Sequence, residues 1–241
     1  MLNDILLAAI QAATEFLPIS SSGHLALLSN LISEPNLFFI TALHLASLAA
    51  VIIFTRNEIK DLLTFNKKYR KMWLYLFIGT LPAALAGFFL KDVIENTFSS
   101  LTFIGGAFIF TGFVLFLTKF FKTRSELNVK NSLVIGLFQV LALFPGVSRS
   151  GVTISSALLL GIEKEKAARF SFLLFIPLSL GAFFLAAKSG FYFNLSLLAS
   201  FLACFALSLL FLKLLLLVIK KEKFWLFSFY CFLLGLITLF S

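Results

Sequence analysis

Long apolar runs separated by short polar clusters fill the chain from end to end. Six runs are long enough to cross a bilayer, which takes about 20 largely apolar residues. They are Phe38–Phe54, Met72–Leu90, Leu101–Thr118, Phe170–Ala187, Leu195–Ile219 and Phe224–Phe240, and Lys213 is the one full charge inside them. Two more apolar stretches are broken in the middle. Leu2–Leu31 is cut at Pro18-Ile-Ser-Ser-Ser-Gly23, and Asn131–Gly161 is cut at Pro145-Gly-Val-Ser-Arg-Ser-Gly151. Proline, glycine and serine end helices and favour turns, and each half is too short to span. These two stretches read as re-entrant helical hairpins, tolerable at membrane depth only where protein or a wet cavity satisfies the irregular backbone.

The order is hairpin, three spans, hairpin, three spans. Pro18 and Pro145 are 127 residues apart, and shifting the first three spans by that distance lands them close to the last three. Three is odd, so the second half starts on the opposite side of the membrane, which predicts an inverted-topology repeat. The expected fold is an all-α polytopic membrane protein, one integral membrane domain over residues 1–241 with repeat halves 1–123 and 124–241. The hairpins enter from opposite faces, and their broken tips can meet near the midplane.

Composition agrees with this reading. The 241 residues are 60% hydrophobic with 33 Phe and mean hydropathy +1.03, against about 45–50% apolar in soluble domains. No polar stretch is long enough for a separate soluble domain. Met-Leu-Asn-Asp at the start has no basic n-region and no small-residue cleavage site, so no removable signal peptide is expected. Cys204 and Cys231 fall inside apolar runs and read as small apolar residues without a disulfide.

The net charge of +9 does not call for nucleic acid. Sixteen lysines and arginines gather on one side of the span pattern, and only Lys91 and Lys188 on the other. The sixteen-charge side is therefore expected to be cytoplasmic. Both termini and the mouth of the first hairpin then face outward, and the second hairpin enters from the cytoplasm.

The candidate chemistry lies at the two breaks. Gln11 and Glu15 are four apart and share a helix face before Pro18 stops that helix. Among Ser20, Ser21 and Ser22 one can cap the next helix, whose free N–H groups can face an anion. Ser21 and His24, three apart, can touch as a nucleophile beside a base, or the serines can simply cap while His24 bonds a carbonyl. In the second break Ser148 and Ser150 flank Arg149, with Gly146 and Gly151 outside them and Thr153 beyond. A guanidinium among apolar residues needs compensation. Phosphate cradled by hydroxyls and a backbone N–H nest supplies it, and so does a resting salt bridge to Glu15, the one acid deep in an apolar segment. His44, mid-span, reads as a buried hydrogen-bonding residue rather than a catalyst. Asp4 and Glu34 read as interfacial, and Glu163, Glu165 and Glu222 as solvated loop charge.

Gln11-x-x-x-Glu15, Pro18-Ile-Ser-Ser-Ser-Gly-His24 and Pro145-Gly-Val-Ser-Arg-Ser-Gly-Val-Thr153 resemble the signature motifs of the undecaprenyl-diphosphatase family, also called bacitracin-resistance proteins. The resemblance covers nearly the whole chain, which looks short for the family and is expected to have trimmed loops. It implies hydrolysis of the terminal phosphate of undecaprenyl diphosphate, recycling a lipid carrier for envelope polymers in the bacterial inner membrane, with a periplasmic or outward-facing site. Glu15, Ser21, His24 and Arg149 are then the expected catalytic residues. Gln11, Ser20, Ser22, Gly146, Ser148, Ser150 and Thr153 are expected to bind substrate. Gln11 stands where many members have Glu, and cannot act as a base. The nucleophile is Ser21, His24 or water. The implied cofactor is a divalent cation, Mg²⁺ or Ca²⁺, held at Glu15. The implied partners are a polyprenyl diphosphate lipid and, in a homodimer, a second copy. The alternative reading is a transporter or flippase of undecaprenyl phosphate, which needs no nucleophile and base.

Overall fold

The computed structural model describes residues 2–29, 37–64, 67–122, 125–186 and 194–240. Glu34, Arg124, Lys188, the outer end of the first hairpin and the boundary at 123/124 lie outside them. Twelve α-helices run in order among the described residues: α1 Leu2–Phe16, α2 Ser21–Ser29, α3 Leu37–Phe54, α4 Arg56–Leu63, α5 Lys67–Phe89, α6 Lys91–Thr97, α7 Leu101–Leu117, α8 Val129–Leu141, α9 Arg149–Leu159, α10 Lys164–Ala186, α11 Leu195–Lys220 and α12 Phe227–Phe240. Side-chain caps start several of them: Ser100 accepts from Phe103 N–H, Asn128 from Asn131 N–H and Asn194 from Leu197 N–H.

Four helical stretches are long and apolar enough to cross a membrane: Tyr69–Phe89, Leu101–Phe120, Lys164–Phe184 and Leu195–Lys220. They coincide with four of the six expected spans. The other two differ from expectation. The run Phe38–Phe54 forms a helix that bends by 70° into α4, and the pair counts as a fifth span only if taken together. The bend falls at Thr55, whose hydroxyl donates to Val51 O at 2.8 Å. Beyond it Arg56, Glu58, Lys60 and Asp61 make α4 too polar to continue inward. The run Phe224–Phe240 opens with a 3₁₀ turn over Phe224–Leu226, which shortens its α-helix to fourteen residues. The two stretches read as hairpins are indeed broken, over residues 17–20 and 142–148.

The packing buries many small polar groups beside an apolar core that includes Phe108, Phe170 and Leu174, and leaves other large apolar groups outside. Phe77, Phe88, Phe184 and Leu233 are exposed, while Ser47, Thr111, Ser132, Gln139, Ser200, Ser208 and Ser228 are buried. Lipid tails are as apolar as leucine, so helix association rests on close backbone approach and interhelical hydrogen bonds rather than on hydrophobic burial. Helices α5 and α8 show both. A Cβ on Gly136 would lie 2.6 Å from Gly79 O, and Gln139 donates to that same carbonyl at 3.3 Å, near Pro82, which interrupts the α5 ladder. Between α3 and α11, Ser47 meets Ser208 at 3.2 Å, and the Cys204 thiol donates to Leu43 O. Both cysteines are buried and free, in agreement with the sequence.

One end of the molecule carries ion pairs. Arg169 on α10 bonds Glu58 of α4 and Glu165, and Lys220 of α11 reaches Glu165 at 3.1 Å. Glu165 is therefore engaged across helices rather than simply solvated, and Glu222 pairs with Lys164. Asp4 accepts from the Ser196 hydroxyl.

The close approach of α5 and α8 makes a prediction. Gly136→Ala should cost about 1–3 kcal/mol through overpacking, read as a lowered thermal midpoint in detergent. Gly106, with open space around its Cα, should tolerate alanine within about 0.5 kcal/mol.

Candidate active site

The two breaks share one pattern of serine hydrogen bonds, 128 residues apart. Ser20 and Ser148 each precede a helix, and each hydroxyl accepts from the N–H three residues on, Gly23 at 3.3 Å and Gly151 at 3.1 Å. Each also lies 3.3 Å from the serine two residues on, Ser22 or Ser150. These caps leave the N–H groups of the first two residues of α2 and α9 outside the helical ladders, as an anion site requires. Between the paired serines sits the first residue of each helix, Ser21 in one and Arg149 in the other.

The tips touch. A Cβ on Gly23 would lie 2.9 Å from Gly146 Cα, and the Ser150 hydroxyl points at Leu17 O at 3.5 Å. Gly146 has φ +92° and its missing Cβ would fall 2.6 Å from Ile104 O, so only glycine fits this turn. Helix α7 pins the second tip through Thr111, which donates to Gly146 O at 3.0 Å and accepts from Ser148 N–H at 3.2 Å. Helix α12 holds the first tip through the Cys231 thiol, which donates to Pro18 O at 3.5 Å. Ser20, at φ +69°, carries a backbone strain that glycine would avoid. Its carbonyl is fixed by the His24 backbone N–H at 3.2 Å and the His24 Nδ1–H at 2.7 Å.

Glu15 lies where the tips meet, with its side chain 5% exposed. Its Oε1 takes a hydrogen bond from Arg149, itself 19% exposed and stacked 3.8 Å from the centre of the Phe175 ring. Its Oε2 accepts from the Ser21 hydroxyl at 2.6 Å and from Gln11 Nε2 at 2.9 Å. The second Gln11 N–H goes to His44 Nδ1 at 3.0 Å, and His44 Nδ1 lies 3.5 Å from Glu15 Oε2. The carboxylate is thus positioned to accept the proton of Ser21. The guanidinium, using one nitrogen for Glu15, keeps further donors for an anion.

The structure brings together Gln11, Glu15, Ser21 and Arg149, with Ser20, Ser22, Gly146, Ser148 and Ser150 forming the caps and turn around them. It departs from the sequence reading at three residues. Ser21 does not pair with His24. The His24 ring turns to Tyr230 on α12, accepting from its hydroxyl at Nε2 (2.6 Å) and stacking on it at 5.7 Å, so Glu15 holds the Ser21 proton instead. Thr153 is taken up by contacts one turn below Arg149. Buried, it donates to Arg149 O at 2.7 Å and meets Ser171 of α10 at 2.6 Å, so it ties α9 to α10. His44 is 41% exposed and bonded into the Gln11–Glu15 pair rather than closed in the core. Tyr230, Thr111 and Phe175 also escaped the sequence reading. His44 had a signal, a titratable ring inside an apolar span, whereas the other three look like ordinary span residues.

Removal of the Thr111 hydroxyl tests the pin. Thr111→Val leaves the Ser148 N–H and the Gly146 carbonyl buried without partners, at about 1–3 kcal/mol for each group. Thermal unfolding in detergent should show the loss, and Thr111→Ser should restore most of it.

Relatives of known name share this arrangement of sequence. Residues 4–237 match the family described as Bacitracin resistance protein BacA. The undecaprenyl-diphosphatase of Thermosipho africanus (strain TCF52B) is 44% identical over 247 residues, covering 99% of both chains. Those of Methanococcus vannielii and Korarchaeum cryptofilum are 37% and 38% identical, covering 99% and 98% of this chain and 99% and 97% of their own. With the motifs at both breaks and a match over nearly the full length, the chain belongs to the bacitracin resistance protein BacA family.

Proposed function

We propose that the protein is an undecaprenyl-diphosphate phosphatase of the membrane, releasing the terminal phosphate from a polyprenyl diphosphate lipid. The observation that carries this reading is the Ser21 hydroxyl donating to a buried carboxylate that also holds Arg149. A carrier of lipid phosphate has use for the arginine but none for a hydroxyl held by a base.

In the proposed reaction Arg149 leaves Glu15 and clamps the terminal phosphate, assisted by free N–H groups of α2 and α9. Ser21 Oγ attacks the terminal phosphorus as Glu15 takes the hydroxyl proton. The Oγ–P bond forms, the bridging P–O bond breaks, and its electron pair leaves on the lipid monophosphate, to which Glu15 passes the proton it took, so that the carboxylate is free again. Water then attacks the phosphoserine, its proton passes to Glu15, and Glu15 returns a proton to Ser21 Oγ as phosphate departs. His24, with both ring nitrogens engaged, serves by holding the Ser20 turn that aims Ser21.

A divalent cation, Mg²⁺ or Ca²⁺, belongs to the proposal. Among the described residues no group of three or more His, Cys, Asp or Glu comes together. The oxygens that suit a hard cation are those of Glu15 and the Gln11 Oε1, which is buried with no hydrogen-bond partner. Glu15 and Gln11 would hold the ion, and it would supply positive charge against the phosphate.

The finer architecture is part of the same reading: six spans and two re-entrant hairpins in an inverted repeat, in the cytoplasmic membrane, with the site facing outward. Reciprocal packing supports the repeat. Helix α1 packs on α11 as α8 packs on α5, while α3 meets α10 and α7 meets α12. The sixteen-to-two charge bias supports the orientation.

Phosphate release from a prenyl diphosphate in detergent tests the chemistry without two compartments. Glu15→Ala and Arg149→Ala should each lower turnover by at least a hundredfold, on the scale of removing a proton acceptor or a transition-state charge, and EDTA should suppress the wild type. Near-normal release from either variant would overturn the assignment. Acid quench during turnover should trap protein-bound phosphate in the wild type and none in Ser21→Ala. For orientation, a membrane-impermeant phosphatase inhibitor should act on intact cells, and action only after permeabilisation would reverse the predicted side.

A further inference from the structure

The amide of Gln11 sits between two acceptors. One N–H of Nε2 goes to Glu15 Oε2 at 2.9 Å and the other to His44 Nδ1 at 3.0 Å, while Gln11 itself is 0% exposed. A glutamine amide can be turned end for end at nearly the same shape. Turned over, Gln11 would set its oxygen against the carboxylate and lose that bond, and its contact with His44 would survive only if the ring proton moved to Nδ1. His44 therefore does more than fill space. Its Nδ1 lone pair is the acceptor for the second Gln11 N–H among the described residues, and an N–H buried without a partner is costly.

We infer that His44 is a positioning residue of the active site, which acts through Gln11 to hold the Glu15 Oε2 against Ser21. The role rests on the phosphatase reading, because it gives Oε2 the Ser21 proton to accept. The chain of contacts runs from α3 through α1 to the start of α2: His44, Gln11, Glu15, Ser21. Each link fixes the next atom. His44 fixes which end of the Gln11 amide faces inward. That end then fills one lone pair of Oε2 and leaves the Ser21 hydroxyl the other. Arg149 occupies the opposite oxygen, so its departure toward substrate leaves the Gln11 bond to keep the carboxylate in place. The same orientation leaves Gln11 Oε1 buried without a partner, one of six such side-chain atoms among the described residues.

The geometry also assigns opposite tautomers to the two histidines of the chain. His24 donates from Nδ1 to a carbonyl, so its Nδ1 carries the proton. His44 accepts at Nδ1, so its proton is on Nε2.

The test combines kinetics with a spectrum. Asparagine places an acceptor oxygen near the position of His Nδ1, and leucine places a methyl there. His44→Leu should lower kcat roughly tenfold to hundredfold, the usual range for an outer partner of an active-site group, with KM little changed. His44→Asn should recover most of that loss. The double variant Gln11→Leu with His44→Leu should be no slower than Gln11→Leu alone, since the histidine works through the glutamine. Equal losses in His44→Leu and His44→Asn, equal retention in both, or additive losses in the double variant would overturn the role. The ¹⁵N spectrum of histidine-labelled wild type in detergent should show one Nδ1–H ring and one Nε2–H ring, and His44→Asn should remove the second. A wild type with two Nδ1–H rings would overturn the inference whatever the turnover. A wild type that releases no phosphate but shows the expected pair would instead remove the phosphatase reading.

Discussion

Glu15 and Arg149 pair between the two helix breaks, one from beside each, and much of the site's polar architecture follows from that contact. Taking two charges out of water costs several kcal/mol per ion, and their attraction offsets it only with good geometry and further hydrogen bonds. The structure supplies those extra partners on both sides. Ser21 and Gln11 complete one carboxylate oxygen, and the Phe175 face covers the guanidinium. Truncation of either charge would leave its partner buried and uncompensated. The pair is also the kind that a dianionic phosphate can compete with, because phosphate offers the arginine two oxygens where Glu15 uses one.

A polar centre of this kind suits a molecule whose apolar surface faces outward. The large exposed phenylalanines and leucines give the helices no reason to associate with one another. Association depends on backbone approach, as at Gly79 and Gly136, and on buried hydroxyl and amide contacts. The hairpin tips obey the same rule. Thr111 and Cys231, each from the long pair formed by α7 and α12, bond tip carbonyls that have no helical partner. Stability and site geometry are therefore carried by the same class of contact, and a change to one of these hydroxyls alters both.

Much of this was legible in the sequence where local chemistry decides. Proline and glycine clusters marked the breaks, an arginine in an apolar run demanded a partner, and Glu15 was the one deep acid available. Of the two readings left open at the first break, a capping serine with His24 on a carbonyl is the one present, and spacing could not choose because it describes a helix face but not which way a ring turns. His24 turns to Tyr230, 206 residues away, and nothing near His24 announces that contact. Thr153 sat in a motif beside Arg149 yet belongs to the α9–α10 seam, since the third dimension of a helix start depends on which neighbour packs there. The bend at Thr55 was hidden for a related reason. Apolar length indicated a span up to Phe54, whereas the polar face that follows decides where the helix turns.

The distance between the charged partners has a consequence for biosynthesis. Glu15 and Arg149 are separated by 134 residues. At roughly 5–20 residues per second, synthesis of the intervening chain takes on the order of ten seconds. Through that interval Arg149 does not yet exist, and the Glu15 carboxylate must stay wet, stay protonated or be held by something other than its final partner. The final arrangement around Glu15 therefore cannot be complete before the second break is made. Closure of the site is a late event that reports the arrival of the whole chain, and the ion pair at the centre acts as the molecule's own check that both halves are in place.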